Sequence, residues 1–146
     1  MRVRGATVED VHGMHRVRMS VRENRLSDPT RVRPRHYRAL LTGQGQGWVA
    51  ACEGRVVGFA VVDRSRSSVW ALFVEPEVEG RGVGRRLHEA MLRWAFSYTD
   101  RLWLTTEPGT RAERFYQRAG WRCVGGEPTG EARYEMTRGV WRGPRP

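Results

Sequence analysis

The segment Val74-Glu75-Pro76-Glu77-Val78-Glu79-Gly80-Arg81-Gly82-Val83-Gly84-Arg85-Arg86-Leu87 holds the residues whose spacing suits chemistry best. Gly80, Gly82 and Gly84 let the backbone turn tightly and present successive amides. A helix opening there adds its positive end, so the whole suits a phosphate. Arg81, Arg85 and Arg86 bring mobile positive charge to the same place, which favours a diphosphate. Two nucleotide motifs fail at single residues. A Walker A loop needs lysine before Ser or Thr, and the chain has no lysine; the Rossmann G-x-G-x-x-G needs glycine where Arg85 stands. A Rossmann loop also normally opens its βαβ unit, whereas this one follows three strand-like runs.

Those runs set the fold class. Trp48–Cys52 and Val56–Val62 are separated by the hairpin signal Glu53-Gly54-Arg55, and Val69–Val74 follows the polar turn Arg64–Ser67. Three strands with short turns form an antiparallel meander, which Pro76 ends by lacking a ladder amide. Before them, Arg2–Gly5 reads as a strand, Thr7 with Asp10 as a capping pair, and a helix runs to about Val21 with Val11, Met14, His15 and Met19 inward. A polar stretch with a turn at Asp28-Pro29 leads to a second short helix, Pro34 to Leu41. The short Gly43–Gly47 run reads as a loop.

After the glycine loop, Leu87, Met91, Trp94, Ala95 and Tyr98 recur at helical spacing. The next strand, Leu102–Thr106, can lie parallel to Val69–Val74 because a helix joins them. Thr110-Arg111-Ala112-Glu113 is a capping box for a short helix that Gly120 closes, and Trp121–Val124 with Ala132–Thr137 make a final hairpin. The order β-α-α-β-β-β-α-β-α-β-β describes a mixed α/β (α+β) domain, with the chain of 146 residues read as one unit, 1–146.

Composition narrows the function classes. The net charge of +10 invites a nucleic-acid partner, but all 26 basic residues are arginine and isoleucine is absent, the mark of a GC-rich coding bias. The arginines are also spread from Arg2 to Arg145 among acids, so nucleic acid is disfavoured. No run is long enough to span a membrane, and the first residues lack the apolar stretch of a signal peptide, so a cytoplasmic protein is expected. Cys52 and Cys123 read as two reduced core thiols. His12 and His15 share a helix face, but no Cys, Asp or Glu cluster completes a shell, so no metal is expected.

The chain resembles the GNAT superfamily of N-acetyltransferases. There the strand before the loop ends near V-x-P, the loop reads Q/R-x-x-G-x-G/A, and a later helix carries N-x-x-A-x-x-F-Y-x-x-x-G-F/W. Val74-Glu75-Pro76, Gly82 and Gly84, Ala112, Phe115-Tyr116 and Gly120-Trp121 meet these spacings. Glu79 stands where Gln or Arg is usual, and Gly109 where Asn is usual. The resemblance implies a mostly antiparallel sheet of six to seven strands flanked by about four helices, splayed between the strands ending at Val74 and starting at Leu102.

It also implies acetyl-CoA as cofactor, held along Phe73-Val74, by Glu79, Gly80, Arg81, Gly82, Val83, Gly84 and Arg85, and by Gly109, Ala112 and Phe115. Tyr116 stands where the family places the general acid that protonates the leaving thiolate. No motif places the base; Glu107 and Glu23 are the carboxylates available, or a water chain serves. Glu23, Asn24, Tyr37 and Trp70 are expected on the acceptor side, and the acceptor is a primary amine of a small molecule, peptide or protein. A homodimer through C-terminal strands is a further expectation of the resemblance. The departures at Glu79 and Gly109 keep a second reading open, an acyl-CoA sensor without turnover, and the arginine content a third, a nucleic-acid-binding domain.

Overall fold

The computed structural model describes residues 1–26 and 28–142; Ser27 of the acceptor-side loop and residues 143–146 of the expected domain lie outside them. A single seven-stranded sheet forms the centre. Its strands are β1 (Arg2–Gly5), β2 (Gly45–Cys52), β3 (Arg55–Asp63), β4 (Ser68–Val74), β5 (Arg101–Thr106), β6 (Arg122–Gly126) and β7 (Ala132–Thr137). They lie in the order β1-β2-β3-β4-β5-β7-β6, antiparallel throughout except for the β4–β5 pair. Among the described residues there are five α-helices, α1 (Val11–Ser20), α2 (Pro34–Thr42), α3 (Val83–Ala95), α4 (Arg111–Ala119) and α5 (Arg138–Arg142).

The sheet is covered on both faces, which explains why β3 is an unbroken apolar run buried from Val56 to Val62. On one face α1 and α2 bury Val11, Met14, Val17 and Tyr37 against Val49, Phe59 and Val61. On the other, Leu87, Met91, Leu92 and Ala95 of α3 and Tyr116 of α4 pack on Ala60, Val62, Leu102, Leu104, Tyr134 and Met136. Gly58 lets α3 approach closely: a Cβ there would lie 3.1 Å from side-chain carbons of both Val83 and Leu87.

Several sequence expectations shift. The strand β2 starts at Gly45, inside the run read as a loop, because its ladder partners Asp63 and Val62 continue past Trp48 and pairing overrides weak propensity. Met19 is 43% exposed and Val17 faces the core in its place. Both cysteines are exposed, not core thiols: Cys52 closes β2 beside the hairpin turn, and Cys123 lies on the sheet-edge strand β6. Helix α5 was not anticipated; Arg138 anchors its start, donating to the carbonyls of Phe96 (2.8 Å) and Thr99 (3.0 Å) and pairing with Asp100. No helix among the described residues is long and apolar enough to cross a membrane.

Candidate active site

The glycine loop adopts the conformation its composition favours. Gly80 and Gly82 have φ of 80° and 82°, a left-handed region that costs other residues strain, and Gly82 is the N-cap of α3. The first helical bond reaching back is Arg86 N–H to Gly82 C=O, so the amides of Val83, Gly84 and Arg85 have no intrahelical acceptor. Gly80, Gly82, Val83, Gly84 and Arg85 line a cavity of about 770 Å³, whose opposite wall is α4 with Arg111, Ala112, Phe115, Tyr116 and Arg118. Free amides, a positive helix end and three guanidinium groups make this end of the cavity a site for a polyanion. Glu79 does not oppose it alone, because its carboxylate pairs with Arg111 at 3.5 Å. Arg81 does not line the cavity.

Beside this cradle the sheet forks. β4 and β5 are in register only at Ser68 and Trp103, tied by Trp103 N–H to the Ser67 carbonyl at 3.1 Å. The cause lies in the β3–β4 ladder: Val61 faces Ala71 while Val62 faces Val69, which leaves Trp70 as an unmatched bulge residue. A bulge bends its strand and ends pairing on the far side. Leu72, Phe73 and Val74, paired with β3 on one side only, then line the cavity along the edge that β5 leaves open. Glu75 N–H bonds Val57 C=O at 2.9 Å, so by alternation Phe73 also turns its polar groups to β3, and Leu72 and Val74 turn theirs to the cleft. Of the expected Phe73-Val74 pair, Val74 therefore presents backbone groups, and Leu72 replaces Phe73. Glu75 itself is 1% exposed and is clamped by Arg16 of α1 and Arg55 of β3, which fixes the strand where it leaves the sheet.

Tyr116 reaches the same cavity from α4. The other tyrosines are placed differently: Tyr37 meets His15 Nδ1 at 3.0 Å, Tyr134 bonds Glu113 and Gln117, and the Tyr98 hydroxyl is enclosed without a partner among the described residues. Tyr116 is 6% exposed and lines the cavity, and its hydroxyl makes no hydrogen bond to a described residue. Burial pushes its phenol well above the ordinary range, so it remains a protonated donor. His88 of α3 also lines the cavity, a residue the sequence reading passed over as one helical position among many. Trp121 Nε1–H donates to its Nε2 at 2.9 Å, which leaves the proton on Nδ1, and burial pushes its pKa down to about 4. The signal was its i, i+4 relation to Gly84 and Leu92 on the face turned to α4.

The acceptor-side expectations divide. Val21, Arg22, Glu23 and Asn24, at the end of α1, line the cavity. Asn24 N–H donates to Glu107 Oε2 (3.0 Å) while Glu107 N–H donates to Asn24 Oδ1 (2.9 Å), and Arg111 N–H donates to Glu23 Oε1 (3.1 Å). These bonds clasp the α1–α2 loop to the β5–α4 loop. Glu107 lies in the clasp, outside the cavity lining, and so does Gly109, whose amide bonds Glu113 at 2.9 Å. Tyr37 and Trp70 are not brought to the cavity: Tyr37 is fully buried under α2, with Trp70 edge-on to it at 5.1 Å. No group of three or more His, Cys, Asp or Glu able to hold a metal occurs among the described residues.

The sequence profile of the Acetyltransferase (GNAT) family matches residues 11–121. No curated protein matches the sequence. Solved structures do. A ribosomal-protein-alanine N-acetyltransferase from Brucella melitensis is 22% identical, with 94% of this chain and 99% of that chain covered and a TM-score of 0.73. An acetyltransferase of the GNAT family from Staphylococcus aureus Mu50 is 15% identical, covers 93% and 98%, and has a TM-score of 0.79. The PaiA N-acetyltransferase of Thermoplasma acidophilum, solved in complex with coenzyme A, is 12% identical over 94% and 99%, with a TM-score of 0.76. At these identities the likeness concerns the fold.

Proposed function

The chain belongs to the GNAT acetyltransferase family, and from that premise we propose that it transfers the acetyl group of acetyl-CoA to a primary amine by direct attack, with Tyr116 as general acid. One observation carries the reading: the amide cradle of α3, the unpaired edge of β4 and the Tyr116 side of α4 all line a single cavity. The residues present fit the cofactor. Val83, Gly84 and Arg85 amides with Arg85, Arg111 and Arg118 would hold its diphosphate, and the free groups of Leu72 and Val74 would bond its amide-bearing arm as an added strand does. Phe115 and Ala112 give that arm an apolar wall. When bound, acetyl-CoA would supply a thioester carbonyl to the amine, the C–N bond forming as the C–S bond breaks and coenzyme A departs as a thiolate.

The protein's own groups serve the transfer in distinct ways. The parting of β4 and β5, set by the Trp70 bulge and kept by the Glu75 clamp, would give the reacting carbonyl a fixed place between the two strands. Tyr116, kept protonated by burial, donates its proton to the departing sulfur. Deprotonation of the amine would fall to the Glu23 carboxylate, directly or through water, because Glu23 lines the cavity and Glu107 does not. Calorimetry with acetyl-CoA, followed by thiol release over a panel of amines, tests the proposal. Binding with amine-dependent thiol release is expected; binding without release from any amine would leave an acyl-CoA sensor, and absence of binding would remove both.

A further inference from the structure

The charges at the α1 end of the cavity are unequally committed. The carboxylates there are engaged: Glu23 accepts from the Arg111 amide, Glu107 from the Asn24 amide, and Glu79 pairs with the Arg111 side chain. Of the cations on α1, Arg16 is held by Glu75 and the Val56 carbonyl. Arg18 is different. It makes no hydrogen bond or ion pair among the described residues, and its guanidinium lies over the ring of Phe73 at 4.2 Å from the centroid. Arg18 does not itself line the cavity, but its ring partner Phe73 does, and so does Val21, the C-cap residue of α1 three positions on. The carboxylate whose field reaches Arg18, Glu131, stands outside ion-pair distance, and burial lowers the guanidinium's pKa, a sign that it has lost part of its water.

A partly desolvated cation without a counter-ion is unfavourable, and the unfavourable term is relieved when an anion arrives. Contact with the Phe73 ring also restrains the guanidinium, whose fork of donors can take two oxygens of one group. Arg22, lining the cavity at the same end, adds a second positive charge. We infer that Arg18 is a specificity-determining residue that binds an oxyanion of the acceptor, so that the amine acetylated here also carries a carboxylate or phosphate group. The inference rests on the acetyl-transfer reading above and specifies its acceptor.

Thiol-release kinetics on amino acids, the matching amino-acid amides, O-phosphoethanolamine and ethanolamine test it, with acetyl-CoA binding measured separately by calorimetry. The acids or the phosphate ester should exceed their neutral counterparts by about tenfold or more in kcat/KM; which of the two leads identifies carboxylate or phosphate. Arg18→Gln should abolish that preference with acetyl-CoA affinity unchanged, and Arg18→Lys should retain part of it, both checked for folding by thermal melting. Equal use of neutral and anionic amines by the native chain, a preference that survives in Arg18→Gln, or turnover of neutral amines with none of the anionic ones would each overturn the assignment of Arg18 alone. Failure to bind acetyl-CoA, or binding without thiol release from any amine, would instead remove the parent reading and the inference with it.

Discussion

Replacing Tyr116 by Phe removes one oxygen and keeps the ring, which separates chemistry from packing at this position. The ring lies edge-on to Phe115 at 5.5 Å and to Trp121 at 5.7 Å, contacts that Phe retains. The hydroxyl bonds no described residue, so its loss strands no buried partner, and stability should change by less than about 0.5 kcal/mol. Acetyl-CoA affinity should likewise stay within about twofold, because the cradle on α3 is untouched. If the phenol protonates the leaving sulfur, kcat should fall by about a hundredfold to ten-thousandfold, the range for a positioned general acid. The pH profile adds a second readout. Burial raises the phenol above its ordinary 10.0, so the native kcat should hold through the neutral range and lose this group's contribution only above that value. The same shift lowers stability above pH 10, where the unfolded chain gives up the proton first. The assay is steady-state thiol release on the best acceptor, with calorimetry for acetyl-CoA and a thermal melt. A kcat within threefold of native, at unchanged affinity, would refute the assignment of Tyr116.

Three further outcomes follow from named contacts. Because His88 is held neutral down to about pH 4 against an ordinary 6.5, the unfolded state binds the extra proton in that window; stability should fall by up to about 3 kcal/mol on acidification from pH 7 to 4, and His88→Gln should flatten that part of the slope in denaturant titrations. Glu75→Ala should cost about 3 kcal/mol by urea unfolding, the low end for a broken buried pair, since Arg16 and Arg55 are 41% and 60% exposed and can return to water; a loss under about 1 kcal/mol would show that the clamp does not hold the strand. Gly58→Ala should cost about 1–3 kcal/mol and weaken acetyl-CoA binding, as the new methyl, 3.1 Å from Val83 and Leu87 and 3.2 Å from the Phe73 carbonyl, pushes α3 from β3; unaltered calorimetry would disconnect helix position from the cradle.

The fold was legible because its elements announce themselves locally. Strand runs bounded by Glu53-Gly54 and Pro76, the capping pair Thr110 and Glu113, and the glycines before α3 each specify a backbone conformation within a few residues, and Glu53 and Gly54 do take the positive φ that a tight hairpin needs. Faces were harder to read. Helical spacing shows that Tyr37 and Leu40 share a side of α2, but not that this side lies against Phe59 and Trp70 in the core beneath α1 and α2, so Tyr37 was expected in a site and is found in a core. The fork was expected only through resemblance, since a bulge at Trp70 is a mismatch between two strands and neither strand alone encodes it.

Glu79 carries this distinction furthest. As a neighbour of Gly80 and Gly82 it is an acid at the mouth of an anion site, and local reasoning makes it the least comfortable residue in the loop. Its partner is Arg111 at the start of α4, and the Arg111 amide in turn holds Glu23 from the end of α1. Arg111 is thus the residue through which the cofactor mouth and the acceptor loop are joined, using its side chain for one and its backbone for the other. The charge balance at the mouth is a property of three segments meeting, and it explains how an acid can stand beside the glycine cradle: pairing with Arg111 offsets the repulsion an anion would meet and keeps that guanidinium at the cavity wall, where Arg111 already stands.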